Sequence, residues 1–202
     1  MGLAGSLHES LVAQRRVRVL AKHIASLIPA GARVLDVGCG DGIVDSLVSE
    51  HRPDVSIQGI EVLVRPGTRV PVREFDGLHI PYPDASFDAV MLIDVLHHTI
   101  DPLVMLREAQ RVAHTILIKD HFRDGLLADA TLRFMDWFGN ARHGVALPYN
   151  YWSKAQWEAA FTRMHLQVHE LKVHLGLYTP PASWIFERRL HFVARLRLTR
   201  GG

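Results

Sequence analysis

The sequence predicts an α/β fold, a mostly parallel sheet with helices on both faces, and three observations carry that reading. Short apolar runs alternate with amphipathic stretches between residues 10 and 119, the rhythm of helix, strand, helix, strand. Residues 32–37 are apolar at almost every position, as in a strand covered on both faces. A glycine cluster follows directly, at the place where open α/β sheets bind ligands beyond the carboxyl ends of their strands.

The elements follow in order. Over residues 10–28, Val17, Leu20, Ala21, Ile24, Leu27 and Ile28 recur at helical spacing, while Arg15, Arg16, Arg18 and Lys22 lie mostly off that stripe. This is an amphipathic helix stopped by Pro29 and Gly31. Residues 32–37 form the first strand. Ile43, Val44, Leu47 and Val48 mark a helix that ends before Pro53, and residues 55–61 form the second strand. Pro66, Gly67 and Pro71 then break any helical pattern, so the next connection has a short helix or none. Further strands are expected at 70–75, 87–93 and 114–119, with a helix over 101–112 before the last of them. Beyond residue 120 the chain turns aromatic. Leu127, Ala130, Phe134 and Phe138 share a helix face that reads as core, and Gly139 and Asn140 close the helix. Ser153 and Gln156 form a capping box for a helix containing Trp157, Ala160 and Phe161. Strands over 166–175 and 190–198 finish the sheet. In the latter, Leu190, Phe192, Ala194, Leu196 and Leu198 alternate as in a half-buried strand, which places the basic group Arg188, Arg189, Arg195, Arg197 and Arg200 on a solvated face.

Composition narrows the function. A chain of 202 residues with 48% hydrophobic content builds one core without staples. The single cysteine, Cys39, excludes disulfides within the chain and zinc sites of the multi-cysteine kind, and fits a reducing, cytoplasmic setting. No signal-peptide pattern and no apolar run of about 18 residues is present, so a membrane span is not expected. The 23 basic and 21 acidic residues give a charge of +2, which provides no broad field for nucleic acid.

The chemistry lies in the loop Val34-Leu35-Asp36-Val37-Gly38-Cys39-Gly40-Asp41-Gly42. A dinucleotide fingerprint fails, because Ile43 stands where its third glycine belongs, and a phosphate loop would need a terminal Gly-Lys-Ser/Thr. Asp36 and Asp41 would repel a pyrophosphate but suit a ligand with a cationic amine and sulfonium.

At these residues the sequence resembles the class I S-adenosylmethionine-dependent methyltransferases. The segment EFDGLHIPYPDASFDAVMLIDVLHH is similar to the adenine-site segment and fourth strand of their ubiquinone/menaquinone methyltransferase-like branch. The resemblance implies a Rossmann-like doubly wound, mostly parallel seven-stranded sheet with helices on both faces and an antiparallel C-terminal strand. It implies a single domain: an N-terminal helix over 1–30, a cofactor-binding half over 31–119, an aromatic-rich lid and helix over 120–165, and C-terminal strands over 166–202. S-adenosylmethionine would lie with its methionine part along Asp36, Gly38, Cys39 and Gly40, and its ribose hydroxyls on Glu61. Glu61 also stands about 20 residues beyond the glycine loop, the spacing of ribose recognition. Val62 or Leu63 would cover the adenine, Asp76 would pair with its amino group, Gly77 and Leu78 would flank the ring, and Ile93 would lie beside the sulfonium. Asp88 reads as a strand-start residue and Cys39 as a small packing residue.

The implied reaction moves a methyl group by in-line displacement to an O, N or C atom of a small apolar or aromatic acceptor, leaving S-adenosylhomocysteine, with no metal required. A base is needed only where the acceptor must lose a proton. His97 and His98 follow the fourth strand and His121 the fifth; His98 is the first choice and His121 the second. Asp94 and Asp120 with His121 form an alternative divalent-cation set, although hydrogen bonding is the plainer role for each. Tyr149, Tyr151 and Trp152, after the loop HGVALPYN, are the expected substrate contacts. An Asp/Asn-Pro-Pro-Tyr string would mark amino-methylation of DNA bases, and IDVLHH stands in its place. The rival reading is a cofactor-binding partner protein or regulator that transfers nothing.

Overall fold

The computed structural model describes residues 3–140 and 148–199. Its elements are α1 (Leu3–Ala25), β1 (Arg33–Val37), α2 (Ile43–His51), β2 (Ser56–Glu61), β3 (Val72–Glu74), β4 (Phe87–Ile93), α3 (Pro102–Val112), β5 (Ala113–His121), α4 (Ala128–Asn140), α5 (Lys154–Arg163), β6 (Leu166–Lys172), α6 (Ser183–Phe186) and β7 (His191–Leu198). The strands form one sheet in the order β3-β2-β1-β4-β5-β7-β6. The first five are parallel, and β7 runs antiparallel to both of its neighbours. The order reverses between β1 and β4, the switch point at which sheets of this kind open a binding crevice.

Two apolar layers cover the sheet. Leu20, Ile24 and Leu27 with Val48 of α2 pack on the face carrying Val34, Ala89, Met91 and Leu117. Leu106 and Ala109 of α3 with Trp157 and Phe161 of α5 cover Leu35, Val90, Leu92 and Ile116 on the other. Alternate residues of each strand serve opposite layers, so a strand of almost unbroken apolar sequence is what this position selects. Asp101 caps α3 through a hydrogen bond from the Leu103 N–H, with Pro102 at the first helical position. The capping box of Ser153 and Gln156 forms as expected. Asp88 accepts the Arg33 N–H and so ties the starts of β4 and β1 together.

The structure corrects several expectations. α1 begins at Leu3 rather than residue 10, β3 is only three residues long, and β6 stops at Lys172. A short 3-10 turn, Leu96–His98, and α6 were not foreseen. β7 is not half-buried: His191, Phe192, Val193 and Ala194 are buried in succession, because Trp157 packs on Phe192 from one face and Leu175 and Leu177 cover Val193 from the other. The largest correction concerns α4. Phe134 is 52% exposed, and Leu127, Ala130 and Phe138 also face solvent, while Ala128, Leu132 and Asp136 form the buried edge. The spacing of four was read on the wrong face, because the inward face carries a carboxylate that meets His97 and His98 in the turn after β4. No helix appears between Glu61 and Val72, as Pro66, Gly67 and Pro71 require. Residues 143–147 of the HGVALPYN loop and Arg200 lie outside the described residues. Among those described, no helix is long and apolar enough to cross a membrane.

Candidate active site

The carboxyl ends of β1 and β4 converge on a cavity of about 190 Å³, lined by Asp36, Gly38 and Cys39, by Ile93 and Asp94, and by Arg16 and Leu20 from α1. Gly38 has φ +72°, and a Cβ there would come 2.6 Å from Val95 Cγ2, so only glycine fits this turn. Its N–H donates to the Ile60 carbonyl at 2.8 Å, pinning the loop to the end of β2. Glu61 completes the clasp. Its Oε2 accepts the Gly40 N–H at 2.8 Å and its Oε1 the Val62 N–H at 2.9 Å. A Cβ on Gly40 would meet nothing within 4 Å, so space for a ligand lies beside that backbone. A Cβ on Gly77 would lie 3.2 Å from Val62, which brings the loop after β3 against the end of β2 and forms a rim with exposed Val62 and Leu78. Asp76 sits on that rim, accepting the Leu78 and His79 N–H groups at 2.7 Å each. Those bonds and the His79 side chain hold its carboxyl down at about 2.

Under the loop lies a pair of carboxyl groups that sequence reasoning half missed. Asp36 is 2% exposed and Asp45, in the first turn of α2, is fully buried, yet neither has an ion-pair partner among the described residues. Burial first, then the neighbouring Asp45 carboxylate, raises Asp36 well above the usual carboxyl range; burial pushes Asp45 up to about 6. The two therefore share a proton as a hydrogen-bonded pair. Asp36 Oδ1 and both Asp45 oxygens receive no N–H or O–H from the other described residues. An ammonium entering the cavity would meet acceptors already stripped of water. Cys39 packs against Gly59, and burial raises its thiol far from the thiolate form.

Beyond β4 and β5 a second polar cluster is built differently. Lys119 is 0% exposed and donates a short hydrogen bond to Asp94, which also accepts from Arg16 at 2.8 Å. Burial would raise the Asp94 pKa, but Lys119 and Arg16 hold it below the usual range. His97 Nδ1 lies 2.8 Å from Asp120 Oδ1 and His121 Nδ1 3.3 Å from the same oxygen. His98 Nε2 is 3.4 Å from Asp136 Oδ1 of α4. Burial works against the charged form of His97, yet Asp120 outweighs it and raises the pKa; burial and the His97 charge lower His98. His121 and His191 are driven well down by burial and by the nearby Lys119.

Of the predicted cofactor residues, Asp36, Gly38, Cys39 and Ile93 line the cavity, Gly40 and Glu61 clasp its side, and Val62, Asp76, Gly77 and Leu78 form the rim. His98 and His121 lie in one cluster. Of the three predicted substrate contacts, Tyr149 and Tyr151 pack together and Trp152 lies apart from them. Tyr151 is 2% exposed, stacked on His97 with its hydroxyl donating to the Leu132 carbonyl, and Trp152 packs edge-on against Trp157 in the core. Tyr149 lies under the Arg133 guanidinium. The Asp94, Asp120 and His121 cation set is not free to act as drawn, since Asp94 is engaged by Lys119 and Arg16, and Asp120 by two imidazoles. Sequence reasoning missed Arg16, Asp45, Lys119, Asp136 and His191. Only Asp45 left a signal, as an acid beside the apolar run of α2.

Known proteins with this architecture include a Haloferax volcanii methyltransferase solved with the Trm112 methyltransferase activator, with TM-score 0.70 over 98% of this chain and 96% of that one at 17% identity. The 27-O-demethylrifamycin SV methyltransferase of Amycolatopsis mediterranei is 32% identical over 52% of this chain and 43% of its own length. A Schizosaccharomyces pombe tRNA (carboxymethyluridine(34)-5-O)-methyltransferase is 31% identical over 49% of this chain and 43% of its own. The chain thus spans less than half the length of the curated relatives it matches. The methyltransferase-domain family model matches residues 10–171, most of the chain, and the protein belongs to that family.

Proposed function

We propose that this protein binds S-adenosylmethionine at the β1–β2–β4 edge and transfers its methyl group to a small acceptor held against the histidine cluster. The observation that carries this reading is the clasp of Glu61 on the Gly40 N–H, beside a cavity lined by the buried Asp36. The donor set fits the group: Glu61 has lone pairs left for vicinal hydroxyls, and the Asp36 oxygen lacks the cation that an amino group would supply. Asp36, Gly38 and Gly40 would hold the methionine part, Glu61 the ribose, and Val62, Asp76, Gly77 and Leu78 the adenine side, with Ile93 beside the sulfonium. Bound there, S-adenosylmethionine supplies a methyl carbon on a sulfonium that leaves as a neutral thioether.

The protein's own contribution is alignment and exclusion of water, through the rigid ends of β1 and β4 and the roof formed by α1. Proton removal from the acceptor belongs to the cluster beyond β4. His98 is the better placed of the two predicted bases, half-buried and aimed at Asp136, whereas His121 is sealed beside Lys119. The near balance of charge supports a small acceptor over a nucleic acid. No observation favours the reading in which the cofactor is bound but not used.

Calorimetric titration with S-adenosylmethionine and S-adenosylhomocysteine, with NAD as control, tests the proposal. Both adenosyl ligands bind and NAD does not. Glu61→Ala weakens binding about tenfold or more, the loss of one charge-assisted hydrogen bond. Absence of binding to either adenosyl ligand, or an unchanged affinity in Glu61→Ala, would refute it.

A further inference from the structure

His97, His98 and Asp136 are brought together by two elements far apart in sequence, the 3-10 turn after β4 and the inner edge of α4. One ligand atom from each lies within 4.8 Å of the others. His98 Nε2 is 3.4 Å and His97 Nε2 3.9 Å from Asp136 Oδ1. Ligands bonded to zinc at 2.0–2.1 Å in a tetrahedron stand roughly 3.4 Å apart, so these spacings need little adjustment. The surrounding shell is in place as well. His97 presents its other nitrogen, Nδ1, to Asp120 at 2.8 Å, the carboxylate–imidazole arrangement that fixes the tautomer of a ligating histidine and raises its basicity. The ring of Tyr151 stacks on His97 and sets its plane. From these contacts we infer that His97, His98 and Asp136 bind a divalent transition-metal ion of the zinc class at the acceptor side of the site.

Ligand chemistry supports the assignment. Two imidazoles and one carboxylate select zinc or a neighbouring transition ion over magnesium or calcium, which take oxygen ligands. The other grouping, Asp94 with His97 and His121, is the poorer one, because Lys119 and Arg16 already occupy the Asp94 oxygens.

Three protein ligands leave a fourth position open, as catalytic zinc sites do. An acceptor oxygen or sulfur bound there loses its proton to solvent at neutral pH, because the ion lowers its pKa. His98 then holds the ion rather than the proton. The ion's task rests on the methyl-transfer reading; its binding does not.

The test is metal binding by the whole chain, freed of metal by a chelator and titrated with zinc sulfate in a calorimeter, with cobalt substitution to report the ligand field. One equivalent binds, and the cobalt form shows the intense visible bands of a four-coordinate site. Asp136→Asn and His98→Gln each weaken binding about tenfold or more, Asp136→Glu restores it, and His169→Gln, on the exposed face of β6, leaves it unchanged. The assignment is overturned if no equivalent binds, or if Asp136→Asn and His98→Gln bind as tightly as His169→Gln. S-adenosylmethionine titrated into the same metal-free samples separates the two readings. Cofactor binding without zinc binding removes only the metal site, and zinc binding without cofactor binding removes only the proposed function.

Discussion

Two acidic pockets stand at neighbouring strand ends and differ in how their charge is met. Asp36 and Asp45, under the glycine loop, are buried with no ion-pair partner among the described residues and hold a proton between them. Half-buried Asp94, just past β4, and buried Asp120, near the end of β5, both stay ionised, because Lys119, Arg16 and His97 are folded in against them. The same residue type at the same sheet edge is therefore neutralised from outside in one place and from inside in the other. A pocket short of positive charge is completed by a cationic ligand. One whose charges are built in is rigid before anything binds, as orientation of an acceptor requires.

The largest effect is expected from Lys119. Replacing it with methionine keeps the stem but leaves Asp94 with only the partly exposed Arg16, and breaking a buried pair from one side costs about 3–5 kcal/mol. Urea unfolding should show that loss, and Lys119→Met combined with Asp94→Asn should recover most of it, since the stranded charge goes too. A single variant within 1 kcal/mol or so of wild type would show that the cluster is not held by internal charge pairing.

The reason Lys119 escaped sequence reading is general to the acceptor side. Within Ile116-Leu117-Ile118-Lys119-Asp120-His121 the change from apolar to polar residues reads as the end of a strand, yet β5 continues to His121 with every one of these side chains buried. Ile116 and Ile118 lie under α3 and α5, Leu117 under α1, Lys119 against Asp94, and Asp120 against His97, which with His98 meets the inward residue Asp136 of α4 almost forty positions away. Periodicity pointed to Phe134 and Phe138 instead, because it registers apolar spacing and is blind to a polar contact made across the fold. The cofactor side was legible for the opposite reason. Gly38, Gly40 and Glu61 act through backbone and strand ends set by local sequence, and the register of β1 on β2 brings them together without help from distant segments.

The next effect is smaller and depends on pH. The Asp45 pKa of about 6 lies above the unfolded value of 3.8, so the folded state binds more protons between the two. Stability from this group is present below about pH 4 and is lost as pH rises through about 6. Asp45→Asn removes that slope. At about pH 8 the variant should be more stable than wild type by about 2–3 kcal/mol, with the gap closing toward about pH 4. Thermal melts across that range check it. A constant gap would mean that Asp45 does not share a proton with Asp36, and the contrast with the Lys119 cluster would fail at its first pocket.

The smallest effect sharpens the contrast inside the second pocket, because Arg16 reaches the same carboxylate as Lys119 from the solvent side. Its Nη2 lies 2.8 Å from Asp94 Oδ2, with the two side chains 35% and 23% exposed. Water and salt can replace most of what it does, so Arg16→Gln should cost about 1 kcal/mol or less, and less still in high salt. Arg16 also borders the cavity, and a ligand ammonium beside Asp36 would be repelled by it. Loss of this charge should therefore leave cofactor affinity unchanged or slightly raised, even as stability falls. A loss matching that of Lys119→Met would show that Asp94 depends on both cations equally. The acceptor side would then be as short of charge as the cofactor side once α1 moved away, and the division of the sheet edge into one pocket completed by its ligand and one complete in itself would not hold.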